Sequence, residues 1–345
     1  MQYTTLGRTG LIVSRMCLGT FTFTAGSRAL KSVNKVNSAD ADRIVGAALE
    51  AGINLFDTAD RYAGGEAERL LGSALKGRRD ECVVVTKGGL RTGEGMLTTG
   101  LSRAHLLNAV EASLQRLGMD HVDIYLAHRE DELTPLEETL VALDHIVRSG
   151  RARYIGFSNW SAWKVAAALE FQKANGLAQF THGQMYYSLI GRDIEGEYAR
   201  MSAHYGLGLT VWSPLAMGFL AGHHTRATVA AEESRFSELG ILPLDLELGF
   251  GVIEALQQIA AVKYASVAEV ALAWLLSSPM VSSLVIGVSR LEQLRSNLGA
   301  LHISLSVEER EFLGELTRPQ PAYPQWHIEK TRDKKVLAAL SKPLA

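Results

Sequence analysis

The sequence predicts an α/β fold, a (β/α)8 TIM barrel with an N-terminal β-hairpin and extra helices towards the C-terminus. Two observations carry this expectation. Short apolar runs alternate with stretches of helical period along the chain, the signature of βα units and a parallel sheet. Three of the apolar runs also end in a polar residue able to hold or move a proton: Asp57 closes 54–57, Lys87 closes 83–87 and His128 closes 122–128. In a parallel barrel such strand ends converge on one rim, where active sites of that architecture lie.

Taken in order, residues 3–6 and 11–14 are short β-prone runs around the turn Gly7-Arg8-Thr9-Gly10, as in a hairpin that lids the barrel floor. Strands are expected at 16–20, 54–57, 82–86, 122–127, 154–157, 180–185, 209–212 and 284–286. Amphipathic stretches lie between them at 38–51, 66–76, 102–117, 135–149, 161–175, 193–205 and 291–301, with two further helical runs, 252–264 and 267–277, before the last strand. Ser38 and Ser102 stand where helices begin, and Gly52, Gly77, Gly118, Gly150, Gly176 and Gly206 each follow a helical run where a left-handed cap is wanted. Segments 21–36 and 222–249 exceed a minimal barrel and would overhang the active rim. Beyond 318, Pro319, Pro321 and Pro324 weaken the pattern before a basic stretch at 330–335, so 318–345 is expected to be an irregular flap or tail.

A chain of 345 residues, 47% hydrophobic and 21% charged, has ample apolar surface for one large core. Barrels run from about 200 to beyond 400 residues as one unit, and no linker-like stretch interrupts the alternation, so residues 1–345 are expected to form a single domain. A formal charge of −2 gives no electrostatic reason to expect nucleic acid or an anionic membrane surface. Cys17 and Cys82 both sit in apolar runs, which argues against a disulfide framework and for a reducing, cytoplasmic setting. The N-terminus does not read as an export signal, and no uncharged apolar run reaches the roughly 18 residues of a membrane span.

The rim residues suggest a chemistry. A phenol has an ordinary pKa near 10; an adjacent ammonium favours the phenolate and lowers that value, while a carboxylate keeps the ammonium charged. Tyr62, five residues after Asp57, would then be a general acid tuned by Lys87 and Asp57, with the imidazole of His128 as a second donor to a carbonyl oxygen. At the last strand, Ser289 and Arg290 begin a helix. Its unpaired N–H groups and an arginine fork would suit a phosphate dianion; given the nicotinamide cofactor that the family resemblance described below implies, that would be a 2′-phosphate, which argues for NADP(H), with NADPH preferred over NADH. A Gly-x-Gly-x-x-Gly turn after a strand and a Gly-Lys-Ser/Thr phosphate loop are both missing, so a dinucleotide would need the barrel rim.

The segment Gly52-Ile53-Asn54-Leu55-Phe56-Asp57-Thr58-Ala59-Asp60-Arg61-Tyr62-Ala63-Gly64-Gly65-Glu66-Ala67-Glu68 resembles the signature of the aldo-keto reductase family. Further matches follow in order: Val85-Thr86-Lys87, Leu126-Ala127-His128-Arg129, Tyr154 to Asn159, Gln184-Met185-Tyr186-Tyr187, Trp212-Ser213-Pro214-Leu215, and Gly287-Val288-Ser289-Arg290 with Gln293 and Asn297. The resemblance spans about residues 3–316. It implies an NADP-dependent carbonyl reductase with Tyr62 as proton donor, Lys87 and Asp57 as its modulators and His128 orienting the carbonyl. It also implies an extended nicotinamide cofactor across the rim. Gly19, Thr20 and Asp57 would lie beside it, Ser158, Asn159 and Gln184 would meet the carboxamide, and Trp212 would stack on the nicotinamide. Ser213, Leu215 and Gly218 would approach the pyrophosphate, and Gly287, Ser289, Arg290, Gln293 and Asn297 the adenosine end. The family more often has Tyr at the stacking position, and an indole offers the same flat apolar face.

Two other classes compete. A metal-dependent hydrolase would want several His at strand ends, whereas His105, His121 and His145 fall on helices or their edges and His223-His224 in a loop. No metal is expected. Some relatives of the resembled family are cofactor-binding subunits of larger assemblies, so a non-catalytic, NADP(H)-binding redox sensor is the alternative to a reductase of small carbonyl or alcohol substrates. Phe21, Phe23 and Tyr323 hint at an apolar substrate.

Overall fold

The computed structural model describes residues 1–26, 30–33, 35–227, 229 and 235–340; parts of the two expected overhangs and the last five residues of the tail lie outside that range. The N-terminal hairpin pairs β1 (Tyr3–Thr5) with β2 (Ile12–Ser14). Its turn seats closely: at Gly7, with φ +57°, a Cβ would lie 2.5 Å from the Thr181 carbonyl oxygen and 2.7 Å from the Gly208 nitrogen, so only glycine fits there.

Eight parallel strands follow: β3 (Met16–Gly19), β4 (Leu55–Asp57), β5 (Val83–Gly88), β6 (Val122–Ala127), β7 (Ala152–Ser158), β8 (Phe180–Tyr186), β9 (Gly208–Trp212) and β10 (Ser283–Gly287). They close in sequence order, β10 pairing with β3 through Gly287 opposite Gly19. Alternation along each strand sends residues to two cores. Cys17, Leu55, Val83, Val85, Ile124, Leu126 and Val285 fill the barrel interior, and Leu6 and Val13 of the hairpin close its floor. Met16, Leu18, Phe56, Val84, Tyr125 and Phe157 face outward into the layer shared with the helices. Each fully buried Leu, Val, Ile or Phe contributes about 1.5–3 kcal/mol of transfer free energy, so the paired cores are ample to hold the rim in place.

The surrounding helices include Ser38–Glu50, Glu66–Ala74, Arg103–Leu117, Leu136–Arg148, Ala162–Ala174, Glu197–Tyr205 and Leu291–Gly299. Ser102 caps as expected, its Oγ accepting from the His105 amide, and Gly118 and Gly206 end their helices in the left-handed conformation. The first helix differs by one residue: Asn37, not Ser38, is the cap, accepting from the Asp40 amide.

Three stretches depart from expectation. The helix foreseen over 193–205 is broken into a short 3-10 turn, Asp193–Glu195, and Glu197–Tyr205, because the Arg192 guanidinium grips Glu195 through two bonds and Gly196 swings the chain between them. The helix foreseen from 252 begins earlier, as Leu246–Lys263, because the Asp245 carboxylate caps the Leu248 amide. The tail is not irregular throughout. Gln325–Thr331 and Lys334–Ala339 are helices, the first entered through Pro324, whose missing N–H is no loss at a helix start, and the second capped by Asp333. Among the described residues no single helix is long and apolar enough to cross a membrane.

Candidate active site at the carboxyl rim

Asp57 is the last residue of β4, Lys87 the fifth of the six in β5, and His128 the first beyond β6. Register sets their relative heights: Asp57 is level with Val85, and Lys87 with Leu126. Beyond β4 the chain continues along β5, the Thr58 amide donating to the Val85 carbonyl and the Asp60 amide to the Lys87 carbonyl. It then tightens into the 3-10 turn Tyr62–Gly65, in which Ala63, Gly64 and Gly65 all have positive φ. Two glycines make that left-handed run affordable, and it brings Tyr62 back over the barrel mouth.

There the side chains meet. Lys87 Nζ donates to Asp57 Oδ2 at 2.7 Å, to the Thr58 carbonyl at 2.8 Å and to the Tyr62 hydroxyl at 3.2 Å. The ammonium is wholly buried and its carboxylate 2% exposed. Gln184 Nε2 donates to the other Asp57 oxygen at 2.7 Å, so Asp57 is held from both sides. Edge-on contacts frame the phenol, with Phe21 at 4.9 Å and His128 at 5.9 Å between ring centroids.

Burial pushes the Tyr62 phenol above its ordinary value of 10, against the downward pull of Lys87. The expected lowering is therefore present as one contribution and outweighed by desolvation. Burial lowers Lys87, but Asp57 and Tyr62 more than compensate, and the amine stays above 10.5. His128 is held well below the usual histidine range by burial and then by Lys87, so its ring is neutral. Its Nδ1 is buried without a protein partner.

On the opposite arc, Trp212 ends β9, its indole N–H donating to Asn159 Oδ1 at 2.9 Å and its ring 5.2 Å from Tyr186. Asn159 Nδ2 in turn reaches Ser158 Oγ at 2.9 Å and the His128 carbonyl at 3.4 Å. Past Trp212 the backbone is left-handed at Ser213, Ala216, Met217 and Gly218, with Leu215 between them. Such alternation presents N–H groups in concavities suited to anions. Arg290 is exposed at the cap of the helix Leu291–Gly299, while Ser289 bonds Gln293 through both its amide and its hydroxyl and Asn297 is buried. Gly19 is explained by packing: a Cβ there would lie 2.7 Å from Val285 Cγ1. Thr20 donates its hydroxyl to the Asp57 carbonyl at 3.1 Å.

The profile of the Aldo/keto reductase family matches residues 15–317. The chain belongs to the aldo/keto reductase family, a family of oxidoreductases. Among curated relatives of this reductase-family chain, an aldo-keto reductase of Fusarium vanettenii is 34% identical over 93% of this chain and 92% of its own length. The versiconal hemiacetal acetate reductase of Aspergillus parasiticus is 32% identical over 94% of this chain and 99% of its own. A probable voltage-gated potassium channel subunit beta of Oryza sativa subsp. japonica is 36% identical over 88% and 92%. Two groups beside these rim residues leave little or no trace in the sequence. The Thr58 carbonyl that holds Lys87 is backbone and leaves no signal in residue type. Asp60 does leave one, an acid between Ala59 and Arg61 in a short turn, but only the fold shows that it is buried.

Proposed function

We propose that this chain is an NADPH-dependent reductase of aldehydes or ketones. The single observation that carries the proposal is the buried Asp57–Lys87–Tyr62 chain of hydrogen bonds at the barrel mouth. A Tyr hydroxyl on a buried, charged ammonium is a donor poised for an oxyanion.

The residues present fit a nicotinamide dinucleotide. Trp212 offers a flat apolar face, the 213–218 backbone suits a pyrophosphate, and an arginine stands at the helix start after the neighbouring strand β10. When bound, the cofactor supplies the hydride. The protein's own part is as follows. Tyr62 donates its hydroxyl proton to the carbonyl oxygen. Lys87 stabilises the phenolate left behind, and Asp57, fixed by Gln184, keeps Lys87 charged and aimed. Neutral His128 donates a ring N–H to the same oxygen and sets the angle of the carbonyl. Phe21, Tyr186 and Trp212 line the mouth with aromatic surface, which favours an apolar carbonyl partner over a charged one. Both cysteines are buried thiols, in keeping with a cytoplasmic setting.

The relative named as a potassium channel subunit favours a second reading, that this chain is a subunit of a larger assembly, which here would bind NADP(H) without turning it over. Incubation with NADPH and an aromatic aldehyde separates the two: stoichiometric alcohol formation is expected, and cofactor binding without consumption would favour the second reading. Arg290→Ala is expected to weaken NADPH at least tenfold and NADH little, because a guanidinium–phosphate pair is lost only with the 2′-phosphate. Equal losses in parallel titrations would show that Arg290 does not read that phosphate.

A further inference from the structure

Behind β5, on the face opposite Lys87, lies a second polar cluster that the proposed chemistry does not use. Thr86 donates its hydroxyl to Glu68 Oε1 at 2.6 Å, and Arg116 Nε donates to Glu68 Oε2 at 2.5 Å. Glu68 is thus fully matched, and its partner Arg116 is spent on it. Asp60, 3% exposed, projects into the same cluster with both carboxylate oxygens buried and no side-chain hydrogen-bond partner, the neighbouring Arg61 amide being the one polar group that leans on it. The Tyr125 hydroxyl, opposite Thr86 in the β5–β6 register, is likewise buried and unpartnered.

The titratable and charged groups facing Asp60 are Glu68 and Arg116 from the two flanking helices, Lys87 from β5, Tyr125 from β6 and Tyr62 from its own turn. Both cations already have an acid of their own, Glu68 for Arg116 and Asp57 for Lys87. An ionised Asp60 would be a buried anion without a counter-ion beside a second anion, which is costly; a protonated Asp60 is a neutral donor beside a phenol that lacks a partner. Asp60 lies three residues after Asp57 and two before Tyr62, in the turn that delivers the phenol, so whatever holds Asp60 holds that turn.

We propose that Asp60 is a positioning residue for the proton donor: held as a neutral carboxylic acid and bridged to the Tyr125 hydroxyl through one water, it pins the turn carrying Tyr62, and its ionisation releases that turn and stops turnover. The inference rests on Tyr62 being the donor. Burial and then Glu68 push the Asp60 carboxyl up from 3.8 to about 7, which sets the pH at which the device acts. A carboxyl whose folded pKa is raised contributes stability fully present below 3.8 and lost as pH rises through about 7. The Tyr62 phenol, held above 10, titrates well clear of this window.

The test is the pH profile of kcat for the full chain with an aromatic aldehyde, alongside melting temperature and pH-difference infrared spectra. Wild-type kcat is expected to fall about tenfold between pH 6 and 8, following the protonated fraction of a group titrating near 7, whereas Asp60→Asn, a neutral isostere, changes less than about twofold over the same range. Asp60→Asn should also melt higher than wild type at pH 8 but not at pH 4. The wild-type spectrum should show a protonated carboxyl C=O band that is lost above pH 8 and is absent from Asp60→Asn. An Asp60→Asn enzyme that keeps the wild-type alkaline fall, or a wild-type spectrum without that band at pH 6, overturns the proposal; the melting and infrared arms decide it even if turnover is weak. Tyr62→Phe serves as the control. If it turns over normally the donor assignment fails, whereas an inactive Tyr62→Phe with an unchanged Asp60→Asn profile removes only the role of Asp60.

Discussion

Tyr62→Phe is expected to lower kcat for carbonyl reduction by a factor on the order of 100 or more while leaving NADPH affinity nearly unchanged. The substitution deletes one oxygen, the atom 3.2 Å from Lys87 Nζ, and keeps the ring that packs against Phe21 and His128. The proton for the developing alkoxide would then have to come from water. The ammonium behind the ring is fully buried, so water does not replace the phenol there easily. Steady-state kinetics with a cofactor titration check this, and turnover within a few-fold of wild type would refute the assignment. Because burial keeps the phenol protonated beyond pH 10 and holds His128 well below 6.5, neither group should impose a break on the wild-type profile between pH 6.5 and 9.

Lys87→Met should abolish measurable turnover and also destabilise the fold by about 3–5 kcal/mol, since it leaves the Asp57 carboxylate buried with only Gln184 to answer it. The sign with pH follows from the raised amine. Its stabilising contribution is fully present below 10.5 and lost only as pH climbs beyond that value, so the loss in the variant should be seen across the neutral range. Adding Asp57→Leu to Lys87→Met should recover much of the stability and none of the activity, because an apolar pair of similar volume avoids the unpaired charge. Denaturant midpoints for the three proteins decide it: a double variant no more stable than Lys87→Met would mean that the ion pair is not what the single substitution costs.

Much of the fold, and the placing of these side chains at strand ends, is legible in the sequence, and the reason is physical. A strand buried on both faces reads as an uninterrupted apolar run, so Val83-Val84-Val85 marks β5 and Lys87 stands out at its end; in β6 the run is shorter, Ile124 to Ala127 after the half-buried Asp123, and His128 follows it. Eight such strands and their connecting helices sufficed for the barrel. What escaped notice depended on contacts between distant segments. The sign of the Tyr62 shift turns on how much desolvation the assembled rim imposes, which no local pattern contains. The break at Gly196 requires Arg192 to clasp Glu195, and the early start of the helix Leu246–Lys263 requires the side chain of Asp245 to turn back on it. In the tail, three prolines argued against regular structure, yet Pro324 starts a helix instead of ending one. Asp60 was hidden for the same reason: an acid in a turn is ordinarily solvated, and only the packing of two helices against β5 and β6 encloses it.

The most direct measurement is the fate of the hydride. With NADPH deuterated at the transferable C4 position and an aromatic aldehyde, one deuterium should appear on the carbinol carbon of the alcohol for each cofactor oxidised, at a rate about 100-fold lower in Tyr62→Phe than in wild type. Cofactor that binds but is never oxidised, or an alcohol without deuterium, would contradict direct reduction at this rim.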